Sequence, residues 1–515
     1  MAINRNFNIK VSRRRFLGRS AFGSLALGGL PQTLNHLGLM NAAAEEVTLS
    51  DYKALVCVFL RGGCDMNNFL IPRGTNPQAN RYTSNRGIVA IPNGSSSAEG
   101  DDTIPLSAHN GDPFGFHPSL SKMATMFNSG ELSMLANCGN LSEVVTRANY
   151  DTAVLPVQLF SHSDQVTQWM AGSQPDKPFS SGWGGRIAKN FSPEGNNLNP
   201  QGKSSMLITV SGTSDFLSSP GGSVAQYAVS DNGAISVAGY GSNYQNAITA
   251  ATNKYKNNNN GKRLAAFEDV MFHRHKHILE EGYNTVVRRA RANEGIIGEA
   301  ITTATASGVN FDSLFPDTDL GRELKMVAQL IAGRNCLGNK RQIFFVDQGG
   351  FDTHQDINAD LPVLLTQLDD AIGAFNQSMK ELAANDSDFD YNNVIGFQAS
   401  DFNRTWTPNG SNFASSGTDH AWGTNAFLFG GPVNGGKIYG KIPQLRINGP
   451  DDVPSGSRGR WIPTTAVEQY SAVLAKWLGV PPADIGSIFP NLSRFPDPFD
   501  DSESGPNLDL IDFLA

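Results

Sequence analysis

An α/β fold, with a mostly parallel central sheet sandwiched between helices, follows from two features of this 515-residue sequence. Short apolar runs rich in Val, Ile, Leu and Phe recur along the chain, each bounded by polar residues or glycine, as buried strands are. Between them lie stretches with apolar residues at helical spacing and a charged opposite face. Strands that alternate with helices pack as a sheet covered on both faces.

The expected strands are residues 54–60, 132–136, 206–210, 343–346, 394–397 and 426–429. The expected helices are 264–292, 320–334, 362–384 and 464–478. Residues 91–113 and 190–204 are rich in Gly, Asn, Ser and Asp and read as long loops, and 257–260 is an unbroken polar run. No internal repeat is visible. The organisation expected is an address at 1–44 and one α/β domain over 45–515, with a partly helical insertion around 212–318.

The address is read from Ser12-Arg13-Arg14-Arg15-Phe16-Leu17, a short apolar stretch rich in Gly and Ser, and Ala42-Ala43-Ala44. That order is a twin-arginine export signal with its cleavage site before Glu45. The apolar stretch is too short to span a bilayer. The expected location is periplasmic or extracellular, with the twin-arginine translocase as partner during export and no transmembrane segment in the mature chain. The first 44 residues hold six bases and no acid, so the remainder carries 34 basic against 48 acidic residues, a net charge of −14. Such a balance argues against a nucleic-acid partner and a polybasic membrane anchor. Cys57, Cys64, Cys138 and Cys336 show no metal-ribbon spacing. Cys57 lies in a strand and reads as buried, whereas Cys64 sits in a polar loop and is a candidate free thiol.

Chemistry concentrates where strands end. Residues 56–60 run into Arg61-Gly62-Gly63-Cys64-Asp65-Met66-Asn67-Asn68, residues 343–346 into Asp347-Gln348-Gly349-Gly350-Phe351-Asp352-Thr353-His354, and residues 394–397 into Ser400-Asp401-Phe402-Asn403-Arg404. In a parallel sheet all carboxyl ends share one edge, and ligands bind in the crevice there. Gly417-Thr418-Asp419-His420 precedes a further strand. Asp65, Asp352, His354, Asp401 and His420 are therefore the candidate metal ligands. Carboxylates with imidazoles suit zinc or manganese, with magnesium or calcium as alternatives. Each acid taken alone also reads as a turn former or helix cap.

Phe160-Ser161-His162-Ser163-Asp164 opens a helix. Ser161 is either a nucleophile favoured by the helix dipole or an N-cap. His162 is a candidate general acid, ligand or packed side chain. Arg61, Arg404 and Asn67 are the candidate anion-binding residues. His273 and His277 stand four apart in the expected 264–292 helix, but their charged neighbours read as a solvated face.

The twin-arginine signal together with FLRGGCDMNN, LFSHSDQVTQW, FFVDQGGFDTHQ, ASDFNRT, GTDHAWGTNAFLFGG and IPTTAVEQYSAVLAKWLGV resembles the exported family called domain of unknown function 1501. That family resembles the alkaline-phosphatase-like superfamily of phosphatases, sulfatases and phosphoglycerate mutases. The resemblance implies a metal site at one sheet edge, with Asp65 at the first-strand ligand position and Ser161 at the nucleophile position. It likewise implies Asp352 with His354, Asp401 and His420 at later ligand positions. Two departures stand out: the superfamily's acid and histidine stand four apart where Asp352 and His354 are two apart, and Asp401 is followed by Phe402 rather than histidine. The function expected is an exported metal-dependent hydrolase of phosphate or sulfate esters, acting on an anionic small molecule or glycan ester. The alternative is a non-catalytic exported binding or envelope protein on the same fold.

Overall fold

The strand β1 (Lys53–Leu60), KALVCVFL, buries every residue after its first and sits at the centre of the sheet. Side chains alternate across a strand. Ala54, Val56, Val58 and Leu60 enter one hydrophobic core, and Leu55, Cys57 and Phe59 enter a second on the opposite face. A strand wetted on neither face must be apolar throughout, which is why its sequence shows no polar alternation. Each large side chain so buried contributes roughly 1.5–3 kcal/mol relative to exposure.

The computed structural model describes residues 49–499 and Leu514, apart from 50, 98–99, 108–112, 173–177, 194, 200–201, 235–245, 250–253, 274–276, 455 and 457. The export signal lies outside the described residues. Around β1 are β2 (Leu132–Gly139), β3 (Leu207–Thr209), β4 (Tyr227–Ser230), β5 (Gly233–Ala234), β6 (Arg341–Gln348), β7 (Val394–Ser400), β8 (Thr424–Gly430), β9 (Ile438–Gly440) and β10 (Thr465–Ala466). Their order is β9-β2-β8-β7-β1-β6-β3-β4-β5, with β10 paired to β2. β1 pairs in parallel with both β6 and β7, the register running Leu60 to Gln348 and Leu60 to Ser400. Only β8 and β5 run against the rest. The sheet is large, mixed and mostly parallel, so the ends of β1, β6 and β7 share one edge.

One face is covered by α1 (Ser121–Asn128), the end of α5 (Ile278–Thr305), α6 (Asp319–Ala332) and α7 (Ile357–Asn385). The other is covered by α2 (His162–Ala171), α3 (Trp183–Phe191) and α8 (Val467–Leu478). α6 shows how such a helix is specified. Thr318 caps it by accepting from the Gly321 amide, and Leu320, Leu324, Val327 and Ile331 form its buried stripe.

The single helix expected over 264–292 is instead two, α4 (Asn259–Phe272) and α5. His273 ends α4 in an extended conformation, and His277 caps α5 by accepting at its side chain from the Leu279 amide. The two histidines therefore never share a helical face. All four cysteines are free thiols, with Cys57, Cys64 and Cys138 buried. Among the described residues no helix is long and apolar enough to cross a membrane.

A buried acid tests the packing of α8. Glu468 accepts from Asn491 Nδ2 at 3.0 Å within the second core, and burial pushes its carboxyl up to about 7. A raised folded-state value means this group's contribution is fully present below the ordinary 4.5 and lost as pH rises through 7. Urea titrations at pH 5 and pH 8 should show wild type losing about 2–4 kcal/mol more over that interval than Glu468→Gln does.

Candidate metal centre

Four side chains meet at the carboxyl edge of the sheet. Asp352 and His354 follow β6, His162 begins α2, and His420 lies on the segment before β8, joined to Arg404 by an antiparallel bridge. One ligand atom from each of His162, Asp352, His354 and His420 lies within 4.8 Å of all the others. The Nε2 atoms of His162 and His420 are 3.0 Å apart, and those of His354 and His420 are 2.8 Å apart. Asp352 Oδ1 stands 3.3, 3.1 and 3.6 Å from the Nε2 atoms of His162, His354 and His420.

Each imidazole is aimed from behind. His162 Nδ1 is 2.7 Å from Asp401 Oδ2, His354 Nδ1 is 2.9 Å from Asp419 Oδ1, and His420 Nδ1 is 2.8 Å from the Phe160 carbonyl oxygen. All three partners only accept hydrogen bonds, so each Nδ1 carries the proton. In the neutral rings every Nε2 is then a bare lone pair, pointed at other lone pairs and at a carboxylate oxygen. Two such nitrogens at 2.8–3.0 Å repel unless a cation or an added proton lies between them. Tetrahedral zinc ligands at roughly 2.0–2.2 Å stand about 3.3–3.6 Å apart; five of the six separations here are 2.8–3.6 Å, and all four atoms lie within 4.8 Å of one another. The donor set fits a divalent ion.

The surroundings fix the charge balance. Asp401's hydrogen bond and charge hold the His162 imidazole above its ordinary range, against burial. Burial, reinforced by the neighbouring imidazoles and Arg404, holds His420 below it. Burial would push Asp352 up, but the Arg404 hydrogen bond at 2.8 Å and its charge hold that carboxyl below the ordinary range. Asp419, drawn down by bonds from Asn409, His354 and Arg458 despite burial, stays ionised to about 2. Phe402 lays its ring against both His162 and His420, at 4.7 Å between centroids, and forms the apolar wall of the group.

Backbone geometry makes these meetings possible. Gly62 has φ 104°, and a Cβ there would stand 2.4 Å from the Asp352 amide nitrogen. The same glycine's amide donates to Asp401 Oδ1 at 3.2 Å. Phe160, an aromatic residue at φ 77°, holds a strained left-handed conformation while its carbonyl meets His420. Arg460 lies 4.7 Å over the Phe160 ring and donates from Nε to the His420 carbonyl, fastening both sides of that contact.

The structure brings together three of the expected ligands, Asp352, His354 and His420, and adds His162, which the sequence left among several roles. It does not bring in Asp65 or Asp401. Asp65 is fully buried in an ion pair with Arg86, itself fully buried, and its other oxygen accepts from the Asn67 amide. Asp401 lies one imidazole behind the centre. The expected anion binders are also engaged. Arg404 is buried and donates to Asp352, to the Gly62 carbonyl and to the Thr418 carbonyl. Asn67 donates to the Arg404 carbonyl at 2.8 Å. Arg61 is paired with Asp347 but keeps its side chain 40 % exposed. Ser161 occupies the N-cap position without making a cap bond; its Oγ lies 2.6 Å from Asp164 Oδ2. Sequence reasoning assigned no role to Asp419, although it adjoins His420, nor to the Phe160 carbonyl, which no side-chain pattern reveals. A cavity of about 510 Å³ beside Phe191, Met206 and Tyr227 opens at the opposite sheet edge, and the donor chemistry rather than cavity size locates the centre.

Residues 52–453 match the family described as Protein of unknown function (DUF1501), and the chain belongs to that family. No curated protein matches the chain.

The placement of Asp65 separates a structural from a ligating acid. Asp65→Asn should lower the unfolding free energy by about 3–5 kcal/mol in urea, by leaving Arg86 buried without its counter-charge. It should leave zinc uptake by the folded protein at the wild-type stoichiometry.

Proposed function

We propose that this member of the domain of unknown function 1501 family is an exported metal-dependent hydrolase of phosphate or sulfate esters. His162, Asp352, His354 and His420 would hold one divalent ion. The observation that carries the reading is the convergence of three Nε2 lone pairs and Asp352 Oδ1, each imidazole being fixed through Nδ1. Three nitrogens and one oxygen favour zinc over magnesium or calcium, with manganese as the next choice. When bound, such an ion supplies a Lewis acid that polarises an ester oxygen and favours the deprotonated form of a hydroxyl or water.

The chain's own groups have separable tasks. Asp401 and Asp419 orient His162 and His354 and keep their protons on Nδ1. Arg404 holds Asp352 ionised and aimed. Ser161 adjoins a ligand, and Asp164 can draw the proton of its hydroxyl along the 2.6 Å contact, so Ser161 is the proposed nucleophile. Arg61 keeps solvent-facing surface near this edge and is the proposed anion contact. Phe402 keeps water from the back of the group. The likeness to the alkaline-phosphatase-like superfamily belongs to this proposal, supported by the mostly parallel sheet and by the strand-end location of the centre. Export by the twin-arginine route is supported by Arg13, Arg14 and Arg15 with Ala42-Ala43-Ala44.

A second reading, a non-catalytic binding or envelope protein, is favoured by one observation: Arg404 and Asn67 are turned inward, leaving little cationic surface for an anionic substrate.

Two experiments discriminate. Asp401→Asn and Asp419→Asn should each weaken zinc binding about 10–100-fold in competition with a chromophoric chelator; unchanged affinity would remove the orienting role. Zinc-loaded protein should turn over aryl phosphate or aryl sulfate esters, with Ser161→Ala lowering kcat at least about 100-fold. Turnover unaffected by that substitution would exclude Ser161 as nucleophile, and no turnover of either ester by loaded protein would leave the binding reading.

A further inference from the structure

A small cavity with polar groups in its walls lies behind the Arg404 segment, and what it implies does not rest on the function proposed for the imidazole group. Its volume is about 20 Å³, and its walls include Asn137, Trp406 and Trp461, with Asn67, Asn403 and Asn425. A cavity of about 10–15 Å³ already admits one water. Asn137, Trp406 and Trp461 are each at most 2 % exposed. Each carries a buried polar atom with no protein partner among the described residues: Asn137 Oδ1, Trp406 Nε1 and Trp461 Nε1. Orphaned buried polar atoms are rare, and three in the walls of one water-sized cavity call for a common partner.

The chemistry of that partner is specified. The two indoles are donors only, so it must accept twice. The Asn137 amide donates from Nδ2 to the Ile462 carbonyl at 2.8 Å, which leaves Oδ1 as its unpartnered acceptor, so the partner must also donate. A metal cation would be repelled by two N–H groups. A chloride or other anion would be repelled by Oδ1. We infer that this cavity is a binding site for a single internal water, which accepts from Trp406 Nε1 and Trp461 Nε1 and donates to Asn137 Oδ1.

The water lies where three segments cross. Asn137 belongs to β2. Trp406 is two residues beyond Arg404, the residue that holds Asp352. Trp461 follows Arg460, which donates to the His420 carbonyl, and lies near Arg458, which pairs with Asp419. The indole rings of Trp406 and Trp461 meet edge to face at 5.6 Å. By joining both indoles to β2, the water fastens the two segments, 403–406 and 458–461, whose arginines support Asp352, His354 and His420.

The test is a high-resolution crystal structure of the mature chain, with hydrogen exchange as a second measurement. The expected map has one oxygen-sized peak about 2.7–3.2 Å from all three atoms. A map without that peak, with an ion's density in its place, or with the indoles paired to protein acceptors overturns the inference. In Trp406→Phe Trp461→Phe protein, amide exchange over 403–406 and 458–461 should rise about tenfold or more. Exchange at the wild-type rate would overturn the fastening role, and a variant that fails to fold leaves the wild-type map to decide.

Discussion

Three imidazoles that each commit Nδ1 to an acceptor turn their Nε2 lone pairs toward one point, and Asp352 adds a carboxylate oxygen there. That convergence is unfavourable in itself, because the His420 Nε2 stands 2.8 and 3.0 Å from those of His354 and His162. Much of the carboxyl edge of the sheet can be understood as the framework that enforces it. β1, β6 and β7 deliver Gly62, Asp352 and Asp401 side by side because they run parallel in one register. Gly62 then permits a backbone approach that a side chain at that position would block.

Each imidazole is held by a chemically different support. His162 rests on the buried carboxylate of Asp401, and His354 on Asp419, which is itself paired with Arg458. His420 rests on a neutral carbonyl, and that carbonyl belongs to a residue strained into the left-handed region. Strain of this kind costs on the order of 1–3 kcal/mol and persists where surrounding contacts over-determine it. Here those contacts are the Arg460 guanidinium over the Phe160 ring and its bond to the His420 carbonyl. The segment Phe160-Ser161-His162 thus supplies one candidate ligand, the support of another and the proposed nucleophile.

Much of this was legible in the sequence, and the parts that were not share a cause. Buried strands announce themselves by unbroken apolar runs, so β1, β6, β7 and β8 were placed to within a few residues. The rule that parallel strands end on one edge assembled Asp352, His354 and His420 from distant positions. The same rule overreached with Asp65 and Asp401, because it ranks residues by proximity to the edge and is blind to direction. Asp65 points inward to Arg86, and Asp401 reaches the centre only through His162. Phe402 stands where the resemblance led one to look for histidine, and it serves as a wall against two imidazoles. The break between α4 and α5 was hidden because the charged, periodic pattern runs on through His273 and His277, and only the extended backbone at those two residues shows it.

Anomalous diffraction from zinc-loaded crystals, measured above and below the zinc edge, addresses the central claim most directly. The account predicts one strong peak per chain, within about 2.3 Å of Nε2 of His162, His354 and His420 and of an Asp352 oxygen. No peak at that position after loading, a peak on Asp65 or elsewhere, or two adjacent peaks would contradict a single-ion centre built on these four residues.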